Sequence, residues 1–415
     1  MIKKISILLM MLILTSALSA CTESVVEEEI TERAQLNISD VDYYKQLYGQ
    51  NVSINVYNWG EYIADGSEEG ILDVNTEFTN LTGIKVNYST YATNEELYAK
   101  LKGNASSYDI IIPSDYMISR MIKEGMLEEL DFENIPNFKN ITDSFINPDY
   151  DPENRYSVPY TWGTVGIIYD KTVIDDSNFG WEILWDEKYK DQILMFDNPR
   201  DAFAIAELLL GYSLNTENQS EIENAADKLI EQKKLVQAYV MDEIFDKMGA
   251  GEAVLAPYYA GDAVTLMDEY ENLGFVIPES GTNLFVDAMC IPKGSKAKKA
   301  AEMYINFMCE PDVAYSTTSY VGYSTPNSKA LDMIDEEVLN DGISYLDDEF
   351  LAKCEVFTNL SDETNDFIQS KWTDMKSSDD ETANPWLVPA FMAFCVLLSI
   401  SILIYRFVKS KKDIF

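Results

Sequence analysis

Residues 52–62 read VSINVYNWGEY. Val52 to Val56 is the apolar, β-branched run of a strand, and the chain leaves it directly into Trp59, Glu61 and Tyr62. Two aromatic faces beside one carboxylate suit a ligand with an apolar body and a cationic head. The same residues also suit a solvated turn capped by surface aromatics. The surrounding sequence has to separate the two.

Downstream, strand and helix signals alternate. Ile71 to Leu81 carries apolar residues at helical spacing and stops at Gly83; Ile84 to Tyr88 alternates as a strand; Glu95 to Leu101 is helical; Tyr108 to Pro113 is a buried strand; Asp115 to Lys123 is a helix. The βαβαβ pattern resumes at Ile193–Phe196, Arg200–Leu210, Glu221–Lys233 and Val254–Pro257. This predicts an α/β fold with mostly parallel sheets covered on both faces, and a site at the carboxyl ends of the strands. Trp59, Glu61 and Tyr62 sit at such an end. Others carry similar chemistry: Ser114, Asp115 and Tyr116 follow one strand, Asp197 to Asp201 another, and Tyr258, Tyr259 and Asp262 a third. Taken singly, acids and serines there are also good helix caps, and for Asp115 and Asp197 capping is the stronger reading.

Composition narrows the chemistry. The chain has 415 residues, 47% hydrophobic, enough for a large core divided between two lobes. Its formal charge of -40 makes nucleic acid a poor partner and small cations or basic molecules favoured ones. Histidine is absent, which removes Ser-His-Asp and Cys-His nucleophile systems and every His-containing metal site. Cys290, Cys309 and Cys354 have no short metal-site spacing and read as small buried apolar residues.

The ends of the chain speak of export. Met1 to Ala20 places two lysines before an apolar run and small residues, the layout of a secretory signal. Leu18-Ser19-Ala20-Cys21 resembles the lipobox of bacterial lipoproteins, which implies acylation of Cys21, with an acidic tether over 21–51. Near the other end, Trp386 to Val408 is an apolar stretch with one charge, Arg406, followed by a linker-preceded basic tail at 409–415. It is long enough to span a bilayer with Lys409, Lys411 and Lys412 inside. Residues 377–385 read as the linker before it. Residues 1–20 hold two of the 31 bases, and residues 386–415 hold four bases and one of the 71 acids, so the exported part carries 25 bases against 70 acids.

From about Val52 to Lys376 the sequence resembles the spermidine/putrescine-binding proteins of bacterial ABC importers, within the periplasmic binding protein superfamily. The resemblance rests on YNWGEY, TGIKVNYSTYATNEELYAKL, YDIIIPSDYMISRMIKEGMLEELD, YSVPYTWGTVGIIYD, DNPRDAFAIAELLLGYSLN and VGYSTPN, in that order. It implies a two-lobed, type II-like binding protein without enzymatic activity or cofactor, which delivers a polyamine to membrane permease subunits served by a cytoplasmic ATPase. Lobe 1 would comprise 52–158 and 259–330, and lobe 2 would comprise 159–258 and 331–376. The hinge would lie at Ser157–Tyr160 and Ala256–Tyr259. Carried over by position, Trp59, Glu61, Tyr62, Ser114 and Tyr116 would form one wall, with Asp201, Tyr259, Asp262 and Tyr323 facing them. The family's second amine-binding acid falls on Asn198 here, so either Asp197 substitutes or that end is neutral. Two other readings compete: a ferric-ion receptor using Tyr258 and Tyr259, and an exported carboxylate glycosidase.

Overall fold

The computed structural model describes residues 36–378, apart from 69, 104–107 and 176–177. Strand β1 (Ser53–Trp59) pairs in parallel with β2 (Lys85–Tyr91) and β3 (Ile110–Ile111). The helix between β1 and β2, Val74–Thr82, begins where Asp73 accepts from the Thr76 N–H and ends at Gly83, whose φ of 72° only glycine adopts freely. The helix Asp115–Lys123 follows β3 with the bounds its spacing predicts.

The centre of the molecule is β4 (Ser157–Asp170), fourteen residues buried along their whole length. Its first half pairs antiparallel with β9 (Asn283–Cys290) from Ser157 to Thr164. Its second half lies between β7 (Leu255–Tyr259) and β8 (Leu273–Val276), antiparallel to both. Beyond β7 come β5 (Ile193–Phe196) and β6 (Val236–Val240), and β10 (Glu355–Val356) adds to β9. The order β2-β1-β3-β9-β4-β7-β5-β6 gives two α/β halves sharing one strand.

Three expectations need correction. The sheet is mixed rather than mostly parallel, because β4 runs against β7, β8 and β9, and β9 also runs against β3. Pairing changes partners at Thr164/Val165, inside β4, and β8 stays with the second half, so the halves meet beyond the expected 157–160 and 256–259. Pro159 and Pro257, within those two segments, both lie inside strands. Pro159 sits at a bulge, where the register slips between Pro159 and Thr161 and a missing N–H costs little. Finally, residues 36–51 are no free tether: Val41–Tyr44 is helical and Tyr44 is fully buried, donating to Glu310 at 2.8 Å.

The signal over 1–20, Cys21, the 386–408 span and the 409–415 tail lie outside the described residues. Among those described, no helix is long and apolar enough to cross a membrane.

Candidate ligand-binding cleft

One cavity collects Trp59, Glu61, Tyr62, Ser114, Tyr116, Asp201, Tyr259, Asp262 and Tyr323. Asp197 is not among its lining: its carboxylate, 46% exposed, pairs with Lys376 Nζ at 2.9 Å. Nor does it cap the following helix, Pro199–Leu210, whose cap is Asn198 accepting from the Arg200 N–H. Asn198, not Asp197, lines the cleft.

The inner end is built on Asp201 and Asp287. Asp201 Oδ2 accepts from Asn198 Nδ2 at 2.6 Å and from Tyr259 Oη at 2.8 Å. Burial pushes its carboxyl up to about 7, against the pull of the Tyr259 bond. Asp287 Oδ2 accepts from Tyr62 Oη at 2.6 Å, while Oδ1 is buried with no hydrogen-bond partner. Burial holds this carboxyl at about 6, opposed by the nearby Ser114 hydroxyl and by the Tyr62 bond. An orphaned, buried carboxylate oxygen is costly unless something cationic or protic completes it.

The aromatic walls are fixed by their polar ends. Trp59 donates Nε1–H to the Ile112 carbonyl at 2.8 Å and packs on the Tyr91 ring at 4.7 Å, and Tyr116 Oη donates to Glu95 Oε1 at 3.0 Å. Tyr62 and Tyr323 meet edge to face at 4.8 Å. The Tyr323 ring lies against Gly261, where a Cβ would come within 2.1 Å of its Cδ2, so glycine is required there.

Toward the mouth lie Glu61, Asp242 and Asp262. Glu61 has a left-handed backbone, φ 44°, uncommon for a residue with a side chain. Asp262 Oδ2 accepts from Tyr323 Oη at 3.0 Å, and burial raises its carboxyl to about 8, with Asp242 and Glu61 pushing the same way. Asp115, by contrast, is structural. Fully buried, it accepts from the N–H groups of Tyr116 at 2.6 Å and Val286 at 3.0 Å, pinning β9 to the helix start; it is the first helical residue rather than the cap, a position held by Ser114.

Sequence reasoning missed Asn283, Phe285 and Asp287, which line the cavity at every second position of β9. None of them follows the carboxyl end of a strand. The available signal was a lone acid inside the apolar run Phe285–Ile291, which pays for burial only with a partner. Asp242, Phe245 and Phe357 were missed too.

In the empty cleft Tyr258 and Tyr259 are neutral phenols. Burial pushes the Tyr258 and Tyr259 phenols well above their usual range, aided by nearby carboxylates, and Tyr259 spends its hydroxyl on Asp201. Among the described residues no group of three or more acids or thiols could hold a metal ion.

A buried, aromatic-walled, carboxylate-bearing cleft between two α/β halves that share the strand β4 defines a solute-binding protein. The model of the family "Bacterial extracellular solute-binding protein" matches residues 105–343, and the chain belongs to that family. It is 37% identical over 314 residues to the spermidine/putrescine-binding periplasmic protein of Salmonella typhimurium, covering 75% of this chain and 88% of the relative. Against the Escherichia coli protein of the same description the identity is 36% over 307 residues, covering 74% and 86%. A Listeria monocytogenes structure described as a spermidine/putrescine ABC transporter aligns at TM-score 0.74 and 38% identity, over 78% of this chain and 99% of that one. The spermidine/putrescine substrate-binding protein of Streptococcus pneumoniae aligns at 0.66 and 36%, over 79% and 99%. These relatives are transport receptors rather than enzymes.

Proposed function

We propose that this chain is an extracytoplasmic receptor that binds linear polyamines and delivers them to ABC permease subunits. The observation that carries the reading is the unpartnered Asp287 oxygen in a cavity walled by Trp59, Tyr259, Phe285 and Tyr323. A polyamine alternates ammonium groups with short alkyl spacers, so it needs acids at separated points and apolar faces between them. Asp201 and Asp287 supply inner acids, and Glu61 and Asp262 outer ones. The rings bury methylenes and attract the adjacent charges, each contact contributing about 0.5 to 2 kcal/mol. Asn198 contributes a neutral end beside Asp201 in place of a second acid.

Sequence supports the attachment: Cys21 ends a lipobox-like stretch and would carry a lipid, and Trp386–Val408 would span the membrane with the basic tail inside. Held this way, the receptor would stay at high effective concentration over the permease.

Calorimetric titration of the exported region with putrescine and spermidine tests the reading. Binding should also raise thermal stability, by roughly 2.7 kcal/mol at a hundredfold excess over Kd. No heat and no stabilisation at millimolar ligand would overturn it.

A further inference from the structure

Asp242, at the end of β6, was singled out neither by its sequence nor by the roles assigned above. Its carboxylate lies where a side chain at position 60 would go: a Cβ built on Gly60 would come within 2.1 Å of Asp242 Oδ2. Gly60 follows β1 in the first half of the molecule and Asp242 follows β6 in the second, so this contact bridges the cleft. Asp242 lines the same cavity as the orphaned Asp287 oxygen. Its charged neighbours are Glu61 and Glu243, those of Asp262 are Asp242 and Glu61, and those of Asp201 are Glu95, Arg200 and Asp287. The cleft therefore has two poles. Tyr258 lines the same cavity, and its phenol feels Asp262 and Asp242 more than Asp201. The inner pole includes the protein's own buried cation, Arg200; at the outer pole no ion pair to a protein cation is formed by Glu61, Asp242 or Asp262 among the described residues.

We propose that Asp242, placed over Gly60 and grouped with Glu61 and Asp262, is a specificity-determining residue that holds the outermost ammonium of a triamine or longer polyamine. The proposal rests on the polyamine reading above. A short diamine held at the inner pole gains little from the mouth, whereas a longer chain running past the tyrosines reaches it. Absence of a side chain at Gly60 is what admits the Asp242 carboxylate. Because Asp242 is exposed, its contribution is that of a partly solvated pair, a factor of about five.

The test titrates wild-type protein, Asp242→Asn and Gly60→Ser with putrescine and with spermidine. Gly60→Ser displaces the carboxylate without removing it. Both variants should lower the spermidine-to-putrescine affinity ratio, by about fivefold. Equal losses for the two amines, or an unchanged ratio in both variants, would overturn the assignment. Wild-type protein that binds neither amine would instead overturn the polyamine reading itself.

Discussion

At the scale of single residues, the cleft acids differ in what surrounds them, and that decides what their removal should do. Asp201 receives two donors on one oxygen, which the amide oxygen of an asparagine can also accept. Asp201→Asn should therefore keep its local bonds and melting temperature while weakening polyamine binding tenfold or more, since a charge-assisted bond contributes about 1.5 to 3 kcal/mol. Calorimetry and a thermal melt of the empty protein check the two halves of that statement. Asp262→Asn should behave likewise; a sharply lower melting temperature with intact affinity would make Asp262 a structural helix cap instead. Asp197→Asn should leave affinity within about twofold, because its partner is Lys376 on the outer surface. Nine of the ten positions carried over from the resemblance line one cavity, eight of them at or after the ends of β1, β3, β5 and β7, and Tyr323 after the helix Pro311–Val321. Asp197 and Asn198 are neighbours, and which of them faces inward depends on how the helix start is capped, a matter of backbone geometry that residue type alone leaves open.

At the scale of elements, helices and short strands with strong periodicity were legible, and the strand that organises the molecule was not. Helix 115–123 and β5 have their expected bounds. β4 is buried on both faces, so it lacks alternation, and Pro159, Gly163 and Gly166 read as interruptions. In the structure those residues fit the crowding. A Cβ at Gly166 would lie 2.4 Å from Phe275 Cζ and 2.6 Å from the Val276 carbonyl of β8. The carbonyl belongs to a paired strand and cannot move aside alone. Gly166→Ala should therefore cost about 1 to 3 kcal/mol, read as a lowered denaturation midpoint. An unchanged midpoint would mean that β4 and β8 separate more easily than their pairing implies. The halves meet within β4, because pairing partners, which decide the boundary, are set by tertiary contacts that no local pattern encodes.

At the scale of the whole molecule, closing the cleft around carboxylates ties binding to pH. Desolvation sets Asp287 at about 6, Asp201 at about 7 and Asp262 at about 8, all above the ordinary 3.8. With folded pKa values above unfolded ones, the native empty state binds more protons than the unfolded state between roughly pH 4 and 8. Stability of the empty protein should thus fall as pH rises through that window. The formal charge of -40 adds self-repulsion in the same direction, so the fall should be shallower in an Asp201→Asn/Asp262→Asn double variant, which removes the two carboxyls but little of the total charge. A bound polyamine reverses the preference: ammonium groups favour the ionised acids, so binding at pH 7 expels protons and tightens as pH rises toward 8. Titrations at pH 7 in two buffers of different ionisation enthalpy should give different heats whose slope corresponds to net proton release. Equal heats in both buffers, with an affinity flat from pH 6 to 8, would show that these carboxylates are already ionised in the empty cleft, and that the charge they present to a cation is set before it arrives.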